Sequence, residues 1–359
     1  MMMAENRLLS ILEPKPYQVI QRHGFVPGLA RAHNPDGPCP GSGDIRISGV
    51  IPGSCLTALE VRTVLLPDAF GEPLDWRTLD ACWEGENFVA RATVPAGGWV
   101  RLELRATDAD GVVCIGAVAP IGVGEVFLIA GQSYAANCNH ARTAIEDPQG
   151  RVSAFDPKSQ TWRIAHDSQP TIHSTHTGGS IWPSATNGLL PLLRVPIGMV
   201  NVAVPATASR QWMPGEALFD DLLQAGLWAG DFRYVLWQQG ESDVIEGVDT
   251  ETYKSRILAI KQALEERWGF SRTWIPAKST LHPAVYTNPE GERRIRKAID
   301  ELWRTSGFLP GPDTDSLVGI GIHRDPIEES GHFTLLGQQR AGGMWCSALR
   351  NSLNESGEF

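Results

Sequence analysis

Three short polar segments of this sequence contain residue types that can carry out acyl transfer. Gly131-Gln132-Ser133 and the segment 237–243 (WQQGESD) each follow a short apolar run, and His332 lies just ahead of a predicted helix. A serine hydroxyl becomes a nucleophile when a neighbouring imidazole accepts its proton, and amide or backbone N–H groups can stabilise the oxyanion that forms. This chemistry requires that the fold bring the three segments to one place.

Each segment also has a simpler structural interpretation. Ser133 could be the N-cap of a helix that begins at Tyr134, residues 237–243 could form a polar turn, and His332 is one of nine histidines. Position alone favours the cap for Ser133, whereas the density of Gln, Gly and Glu favours a functional role for 237–243. The three segments are informative mainly in combination.

Apolar runs predict the strands that would position these segments. Residues 126–130, 197–204 and 234–237 are mainly apolar and are separated by helical patterns, which is typical of a parallel sheet covered on both faces. Sites in open α/β sheets lie at the carboxyl ends of the strands. Ser133 and the 237–243 segment would both be found there.

Helical periodicity predicts three helices in the second half of the chain. Residues 250–268 place apolar residues at three- and four-residue steps, between an N-cap at Asp249 and a left-handed C-terminal residue at Gly269. A second helix is predicted from Asn288-Pro289 to about 307, and a third from 335 to about 349. Residues 141–188 show no sustained period and are predicted to form a long loop.

Residues 1–120 have the pattern of a separate β-rich domain. Apolar and polar residues alternate at 44–48, 59–63 and 100–105, and Asp110-Gly111 is typical of a hairpin turn. Short strands at this spacing predict a small β-sandwich-like domain, followed by an α/β domain over residues 121–359.

Composition and charge narrow the range of partners. The 359 residues include 31 Lys and Arg against 41 Asp and Glu, a net charge of −10 that disfavours binding to nucleic acid or anionic membranes. No apolar stretch reaches the ~18 residues needed to span a bilayer. No signal peptide is visible, so a cytoplasmic location is expected unless a leader was removed. The six cysteines are scattered without a CxxC motif and are predicted to be reduced.

The combination of motifs resembles the SGNH-hydrolase superfamily and, within it, the sialate O-acetylesterase-like carbohydrate esterases. Those relatives carry a strand followed by Gly-Gln-Ser-Asn, later Trp-x-Gln-Gly-Glu-Ser-Asp, and finally Asp-x-x-His before Phe-Ser. This chain has Gly-Gln-Ser at 131–133, WQQGESD at 237–243 and His-Phe-Thr at 332–334. The resemblance extends from about Gly124 to Leu349. It implies a three-layer α/β/α fold with a mostly parallel sheet, and hydrolysis of carboxylic esters.

Carried over position by position, the resemblance implies a role for each site residue. Ser133 would be the nucleophile and His332 the general base. The N–H groups of Ser133 and Ala206 and the side-chain amide of Gln239 would form the oxyanion hole. The positions expected to bind substrate or support the pocket are Gln132, Glu241, Arg210 and Trp212.

The sequence departs from the family pattern at three positions. Tyr134 stands in place of the Asn after the serine, Ala206 in place of a glycine, and Glu329 in place of the Asp three residues before the histidine. Glutamate can orient an imidazole as aspartate does, so Glu329 is favoured as the third member of the triad. Asp325, Glu328 and a Ser–His dyad oriented by a backbone carbonyl remain alternatives.

The resemblance implies an O-acetylated saccharide as substrate and no metal or organic cofactor. His173 and His176 could suggest zinc, but the sequence shows no third ligand at a suitable spacing. Two other functions remain open: a general short-chain ester or thioester hydrolase, and a non-catalytic sugar-binding relative.

Overall fold

The computed structural model describes residues 9–24, 41–51, 56–108, 113–173 and 176–355. The predicted hairpin turn at Asp110-Gly111 lies outside these residues. The strands are β1 Ser10–Glu13, β2 Val19–Gln21, β3 Ser42–Val50, β4 Leu56–Leu65, β5 Arg77–Thr78, β6 Ala81–Glu84, β7 Asn87–Pro95, β8 Val100–Asp108, β9 Val113–Gly131, β10 Val152–Asp156, β11 Thr161–Ile164, β12 Ile197–Asn201, β13 Tyr234–Gln238 and β14 Thr273–Pro276. The helices are α1 Trp182–Leu193, α2 Ala217–Ala229, α3 Glu241–Ile245, α4 Thr250–Trp268, α5 Pro289–Leu302 and α6 Leu335–Glu355.

A mixed sheet carries the segments predicted to be catalytic. The strands β10, β12, β9, β13 and β14 lie side by side in parallel pairs, and β11 adds an antiparallel edge to β10. The first half of β9 continues the sheet through β8, β4 and β5 in antiparallel pairs. The prediction of a mostly parallel sheet is therefore not confirmed for the sheet as a whole.

The strand β9 joins the N-terminal strands to the rest of the sheet. It is 19 residues long, and it pairs with β8 near Val113 and with β13 near Ala130. A second, four-stranded sheet contains β1, β3, β7 and β6. The predicted N-terminal sandwich is not confirmed as a separate unit, because β4, β5 and β8 belong to the sheet that continues through β9. The predicted domain boundary at 120/121 falls inside this strand.

Helices cover both faces of the central strands. Along β9, Phe127 and Ile129 pack in one core with residues of α1 and α6, whereas Val126, Leu128 and Ala130 pack in a second core with residues of α2, α4 and α5. Successive residues of a strand point to opposite faces, so a run without polar residues needs cover on both sides. The chain has a mixed α/β fold with a central sheet.

The helices predicted from their caps are present. The Asp249 side chain caps the start of α4, and Gly269, with a φ of 78°, follows its last turn. Asn288 caps α5 as predicted, but the helix ends at Leu302 instead of near 307. The helix α6 runs to Glu355, beyond the predicted end near 349.

The predicted loop at 141–188 contains regular structure. The strands β10 and β11 form an antiparallel pair, and α1 begins at Trp182. The five residues of β10 are too few to show a period, and Pro191 interrupts the helical pattern of α1. The prediction of a loop was wrong for these residues because the sequence patterns of β10 and α1 are weak.

Two further expectations concern the whole chain. The free cysteines among the described residues are Cys82, Cys114, Cys138 and Cys346. Cys39 and Cys55 lie outside the described residues. In the part of the chain that the structure describes, no helix combines the length and apolarity needed to cross a membrane.

Candidate active site

A sharp backbone turn at the end of β9 places Ser133 at the carboxyl edge of the sheet. Gly131 adopts a φ of 133°, and a Cβ atom on it would lie 2.1 Å from the backbone oxygen of Gln238. Only glycine fits this position. The N–H of Gln132 then donates to the same oxygen at 2.9 Å. Ser133 follows directly, with 5% of its surface exposed.

Residues 133–138 form a turn and not the helix predicted from Tyr134 onward. Two N–H groups of this turn donate to the Gln132 carbonyl, as a helix start would. The chain then leaves the helical path, because the Asn137 side-chain amide pairs with the backbone of Gln169 at 2.8 Å in both directions. Asparagine side chains compete with helical backbone bonds in this way. Because residues 133–138 form no helix, an oxyanion beside Ser133 would be stabilised by individual N–H groups and not by the N-terminus of a helix.

The segment 237–243 is hydrogen-bonded to the turn after β9. The Gln132 Oε1 atom accepts from the N–H groups of Gly240 at 3.4 Å and Ser242 at 3.2 Å, and from Nε2 of Gln239 at 3.3 Å. Gln132 is buried, so its amide ties the ends of two neighbouring strands together. Two of the three predicted segments are thus in direct contact.

The Gln239 side chain lies fully buried at the centre of this network. Its Nε2 atom faces Asp243 Oδ2 at 2.5 Å, the Thr207 carbonyl at 3.1 Å and Gln132 Oε1 at 3.3 Å. A primary amide has two hydrogens, so these three protein acceptors outnumber its donors. Gln239 braces the site in this arrangement. Its predicted role as an oxyanion donor requires one of these bonds to open and stays a prediction.

Asp243 is a buried acid that was not identified from residue type alone. Its carboxylate accepts from the Ser209 N–H at 2.7 Å and hydroxyl at 2.6 Å, and it also contacts Gln239 and Arg256. Burial raises the pKa of Asp243, and the hydrogen bonds from Ser209 and Gln239 oppose that shift. Asp243 fastens the loop after β12 to the end of β13. Its place at the end of the WQQGESD motif was the signal that could have identified it.

The loop after β12 presents Ala206 in a left-handed conformation, with a φ of 57°. This is the conformation that a glycine, the residue expected from the family pattern, adopts without strain. Among the described residues, neither the Ala206 N–H nor the Ser133 N–H donates a hydrogen bond. Unpaired N–H groups at the ends of two adjacent strands are suitable donors for an oxyanion. Within the described part of the chain, Ala206 therefore has a free backbone N–H in the conformation of a glycine, and its role as an oxyanion donor stays a prediction.

Replacing Ala206 with glycine is expected to stabilise the protein without loss of activity. Relief of the left-handed strain outweighs the added freedom of the unfolded chain, so the free energy of unfolding should rise by about 0.5–1 kcal/mol. Urea unfolding measures this change. The matched control is Ala208→Gly, two residues on, where φ is −87° and glycine should destabilise. A lower stability for Ala206→Gly would show that the left-handed conformation carries no strain.

His332 is packed against the residue that follows the nucleophile position. Its Nδ1 lies 2.6 Å from the backbone oxygen of Ser330, and its ring meets that of Tyr134 edge-to-face with centroids 5.1 Å apart. Burial lowers the pKa of His332, an effect that the Ser330 carbonyl opposes. Among the described residues no hydrogen bond joins His332 to Ser133. Such bonds are often long until substrate binds. The ring contact between Tyr134 and His332 places the imidazole next to the turn that carries Ser133.

The group next to the His332 Nδ1 differs from the favoured prediction. Glu329 is exposed, and its carboxylate lies 3.6 Å from Nδ1 of His140. A turn in which the Glu329 N–H donates to the Pro326 carbonyl at 3.1 Å leaves the side chain directed outward. The Ser330 carbonyl occupies the expected place of the acid. This is the arrangement of the backbone-oriented dyad that the sequence left open.

Asp325 supports His332 indirectly. This buried carboxylate accepts from the Ser330 hydroxyl at 2.6 Å and contacts His140 Nδ1 at 2.8 Å. The Asp325 N–H donates to the His332 carbonyl at 2.7 Å. Asp325 thus braces the residue whose carbonyl orients the imidazole, without a bond to the imidazole itself.

Glu241 is buried behind the site and accepts a hydrogen bond of 2.6 Å from the Ser279 hydroxyl at Oε1. Its Oε2 atom has no hydrogen-bond partner among the described residues. Burial raises the pKa of Glu241 to about 8, against the opposing effect of the Ser279 bond. Burial therefore favours the neutral carboxylic acid form of Glu241, and its predicted supporting role stays a prediction.

Glu241→Gln is expected to stabilise the protein at alkaline pH. The folded pKa of about 8 lies above the ordinary value of 4.5, so the parent protein loses stability as pH rises from 4.5 to about 8. Glutamine does not ionise, so the advantage should be near zero at pH 4 and on the order of 3–5 kcal/mol at pH 9. Urea unfolding of both proteins at the two pH values checks this. An equal pH dependence in both would show that Glu241 ionises normally.

Trp212 and Arg210, both predicted to bind substrate or support the pocket, differ in their exposure to solvent. Trp212 is fully buried, meets Trp237 edge-to-face at 5.4 Å and donates to Thr207 Oγ1 at 3.1 Å. It supports the loop after β12 and does not face solvent, so the structure does not place it in contact with a substrate. Arg210 has 57% of its side chain exposed and pairs with Glu246 at 3.0 Å.

The histidines considered for zinc are placed differently. The Nε2 atom of His173 lies 2.6 Å from Asp221 Oδ2. Within the described part of the chain, neither His173 nor His176 belongs to a group of three potential metal ligands.

The sequence of the central region matches a known family. Residues 123–277 fit the family model described as carbohydrate esterase, sialic acid-specific acetylesterase. A curated protein of Arabidopsis thaliana, named a probable carbohydrate esterase, is 26% identical over 160 residues. That match covers 38% of this chain and 60% of the relative, so the chain spans about three fifths of the relative's length.

A solved structure shows a similar fold. A carbohydrate acetylesterase from Xanthomonas citri superposes with a TM-score of 0.55 at 15% sequence identity, covering 94% of this chain and 73% of that chain. At this identity the similarity concerns the fold alone. The family match confirms the predicted resemblance over residues 123–277.

Proposed function

We propose that this chain is a serine esterase that removes acetyl groups from O-acetylated carbohydrates. The observation that carries the proposal is the packing of the His332 imidazole against Tyr134, the residue directly after Ser133, together with the N–H groups of Ser133 and Ala206 that donate no hydrogen bond among the described residues. The match of residues 123–277 to a carbohydrate esterase family supports the substrate class.

In the proposed reaction, His332 Nε2 accepts the proton of the Ser133 hydroxyl as its oxygen attacks the acetyl carbonyl. The N–H groups of Ser133 and Ala206 stabilise the tetrahedral oxyanion. The C–O bond to the sugar then breaks, and the leaving oxygen takes the proton from His332. Water activated by the same imidazole hydrolyses the acetyl-enzyme to acetate and free enzyme. These steps use only groups of the protein and water.

The depth of the nucleophile position supports a small acyl group. Ser133 is 5% exposed and Gln132 is 3% exposed, so little of the surface around the nucleophile position is accessible to an ester. An acetyl group meets this restriction more easily than a long acyl chain.

Asp325, and not Glu329, is expected to be the supporting acid. Asp325→Asn weakens the contact that fixes Ser330, so kcat should fall about tenfold through poorer orientation of the imidazole. Glu329→Gln changes an exposed group beside His140 and should stay within about twofold of the parent. Steady-state kinetics with p-nitrophenyl acetate compares these two isosteric variants. A larger loss in Glu329→Gln would show that its carboxylate reaches His332 during catalysis.

The substrate class is tested by measuring acetate release from acetylated monosaccharides and oligosaccharides, including acetylated sialic acid and xylose oligomers. At least one acetylated sugar should give a kcat/KM about tenfold or more above that of p-nitrophenyl acetate. Ser133→Ala serves as the blank. If no sugar is a better substrate than the nitrophenyl ester, the carbohydrate assignment fails while the esterase assignment stands.

A general short-chain ester or thioester hydrolase is the second candidate, and an apolar rim favours it. Ile327 and Val285 are 56% and 53% exposed. Ile327 lies beside the site, because a Cβ on Gly331 would be 3.0 Å from Ile327 Cδ1 and 3.4 Å from His282 Cε1. Exposed aliphatic side chains at a site suit an apolar substrate. In a series of p-nitrophenyl esters from acetate to octanoate, a sharp fall beyond acetate supports the acetylesterase, and a flat profile supports the general hydrolase.

A further inference from the structure

Three aromatic rings meet around the imidazole that the proposed reaction uses. The rings of His282 and His332 are 5.0 Å apart at 72°, and those of Tyr134 and His332 are 5.1 Å apart at 68°. Tyr134 and His282 are themselves 5.5 Å apart. Each ring contacts the other two, so His332 is enclosed on two sides. His282 comes from the segment after β14, which contains none of the residues predicted to be catalytic.

We infer that His282 is a positioning residue for His332, an inference that rests on the proposed esterase function. A base must hold one orientation for proton transfer, and in a triad a carboxylate at Nδ1 supplies it. Here Nδ1 faces the neutral carbonyl of Ser330, which sets the direction of one ring edge only. The rings of Tyr134 and His282 restrict the remaining rotation.

Packing, and not proton transfer, is the means by which His282 acts. The side chain is 7% exposed, and its Nδ1 has no hydrogen-bond partner among the described residues. Burial, followed by the charge on His332, lowers the pKa of His282 to about 4. The His282 ring is therefore neutral at pH 7. Because the His282 ring is neutral and has no hydrogen bond to His332 among the described residues, it acts on His332 through packing alone.

The surroundings of His332 make its titration a readout of this packing. Burial is the largest influence on its pKa, ahead of the Ser330 carbonyl and of the charges of His176, Arg324 and Asp325. Replacing His282 leaves these groups in place. A shift of the His332 pKa towards its ordinary value would therefore report water entering where the His282 ring had been.

The test compares His282→Ala with His282→Phe. Alanine removes the ring, so kcat should fall about 10- to 100-fold with little change in KM, and the acid limb of kcat/KM should move to higher pH. Phenylalanine keeps a flat ring without ring nitrogens, so kcat should stay within about threefold of the parent with an unchanged pH profile. The matched control is Phe270→Ala, which removes a ring that packs on Trp268 and Phe232 just before β14. It should lower stability and leave kcat and the pH profile unchanged.

Two outcomes would overturn the inference. Equal losses in His282→Phe and His282→Ala would mean that a ring nitrogen is required. Unchanged kinetics in both would mean that His282 does not position His332. Circular dichroism and thermal unfolding establish that each variant is folded. Ser133→Ala, assayed in parallel, separates these failures from failure of the esterase function, because only the latter predicts that Ser133→Ala remains active.

Discussion

Ser133→Ala is expected to lower kcat for p-nitrophenyl acetate by at least about 10³-fold, because the attacking oxygen is lost while the oxyanion donors remain. The Ser133 hydroxyl makes no hydrogen bond within the described residues, so the variant should stay folded. KM should change little, since the hydroxyl contributes mainly to the transition state. Steady-state kinetics on freshly purified protein measures both constants.

The matched control for this change is Ser153→Ala. Ser153 is a buried serine on β10 whose hydroxyl also lacks a partner among the described residues. Its replacement should leave kcat unchanged. Hydrolysis by Ser133→Ala at the parent rate, with the contaminating activity of a mock preparation subtracted, would remove Ser133 from the role of nucleophile.

His332→Ala is expected to lower kcat about 10³-fold or more, because no base then accepts the proton of Ser133. When two residues act together in one step, the losses in kcat caused by replacing each of them do not add. The double variant Ser133→Ala with His332→Ala should therefore be within about threefold of Ser133→Ala alone. The same kinetic assay, over a range of pH, provides the comparison.

Additive losses in the double variant would contradict this pairing. They would indicate that His332 contributes to hydrolysis independently of Ser133. Addition of free imidazole to His332→Ala gives a second check, since loss of the His332 ring leaves a space of matching shape beside the rings of Tyr134 and His282. Partial recovery is expected in His332→Ala and none in the double variant.

The sequence predicted the fold best where local signals coincide. The helix α4 has an N-cap at Asp249, an apolar stripe and a glycine at its end, and its boundaries agree with the prediction. The strand β9 was harder to predict as one element, because residues 113–121 include exposed positions whereas residues 126–130 are buried on both faces. One continuous strand thus shows two patterns. The change of pattern near Val123 indicated a domain boundary inside an unbroken element.

The residues of the candidate site also differ in how far the sequence could predict them. Residue types and motifs predicted Ser133, Gln132 and His332 as site residues, and in the structure Tyr134, which follows Ser133, packs against His332. The partner of His332 was not predictable, because the turn at 326–331 decides whether Glu329 or a backbone carbonyl faces Nδ1. His282 gave no signal at all, since its relation to His332 exists only in three dimensions.

Activation of Ser133 as a nucleophile is tested most directly by labelling the folded protein with a fluorophosphonate and locating the adduct by mass spectrometry. The expected result is one adduct on Ser133, formed at the parent rate in Ser153→Ala, much more slowly in His332→Ala and absent in Ser133→Ala. A folded parent protein that remains unlabelled, or that carries the adduct on a different serine, would contradict the proposed esterase.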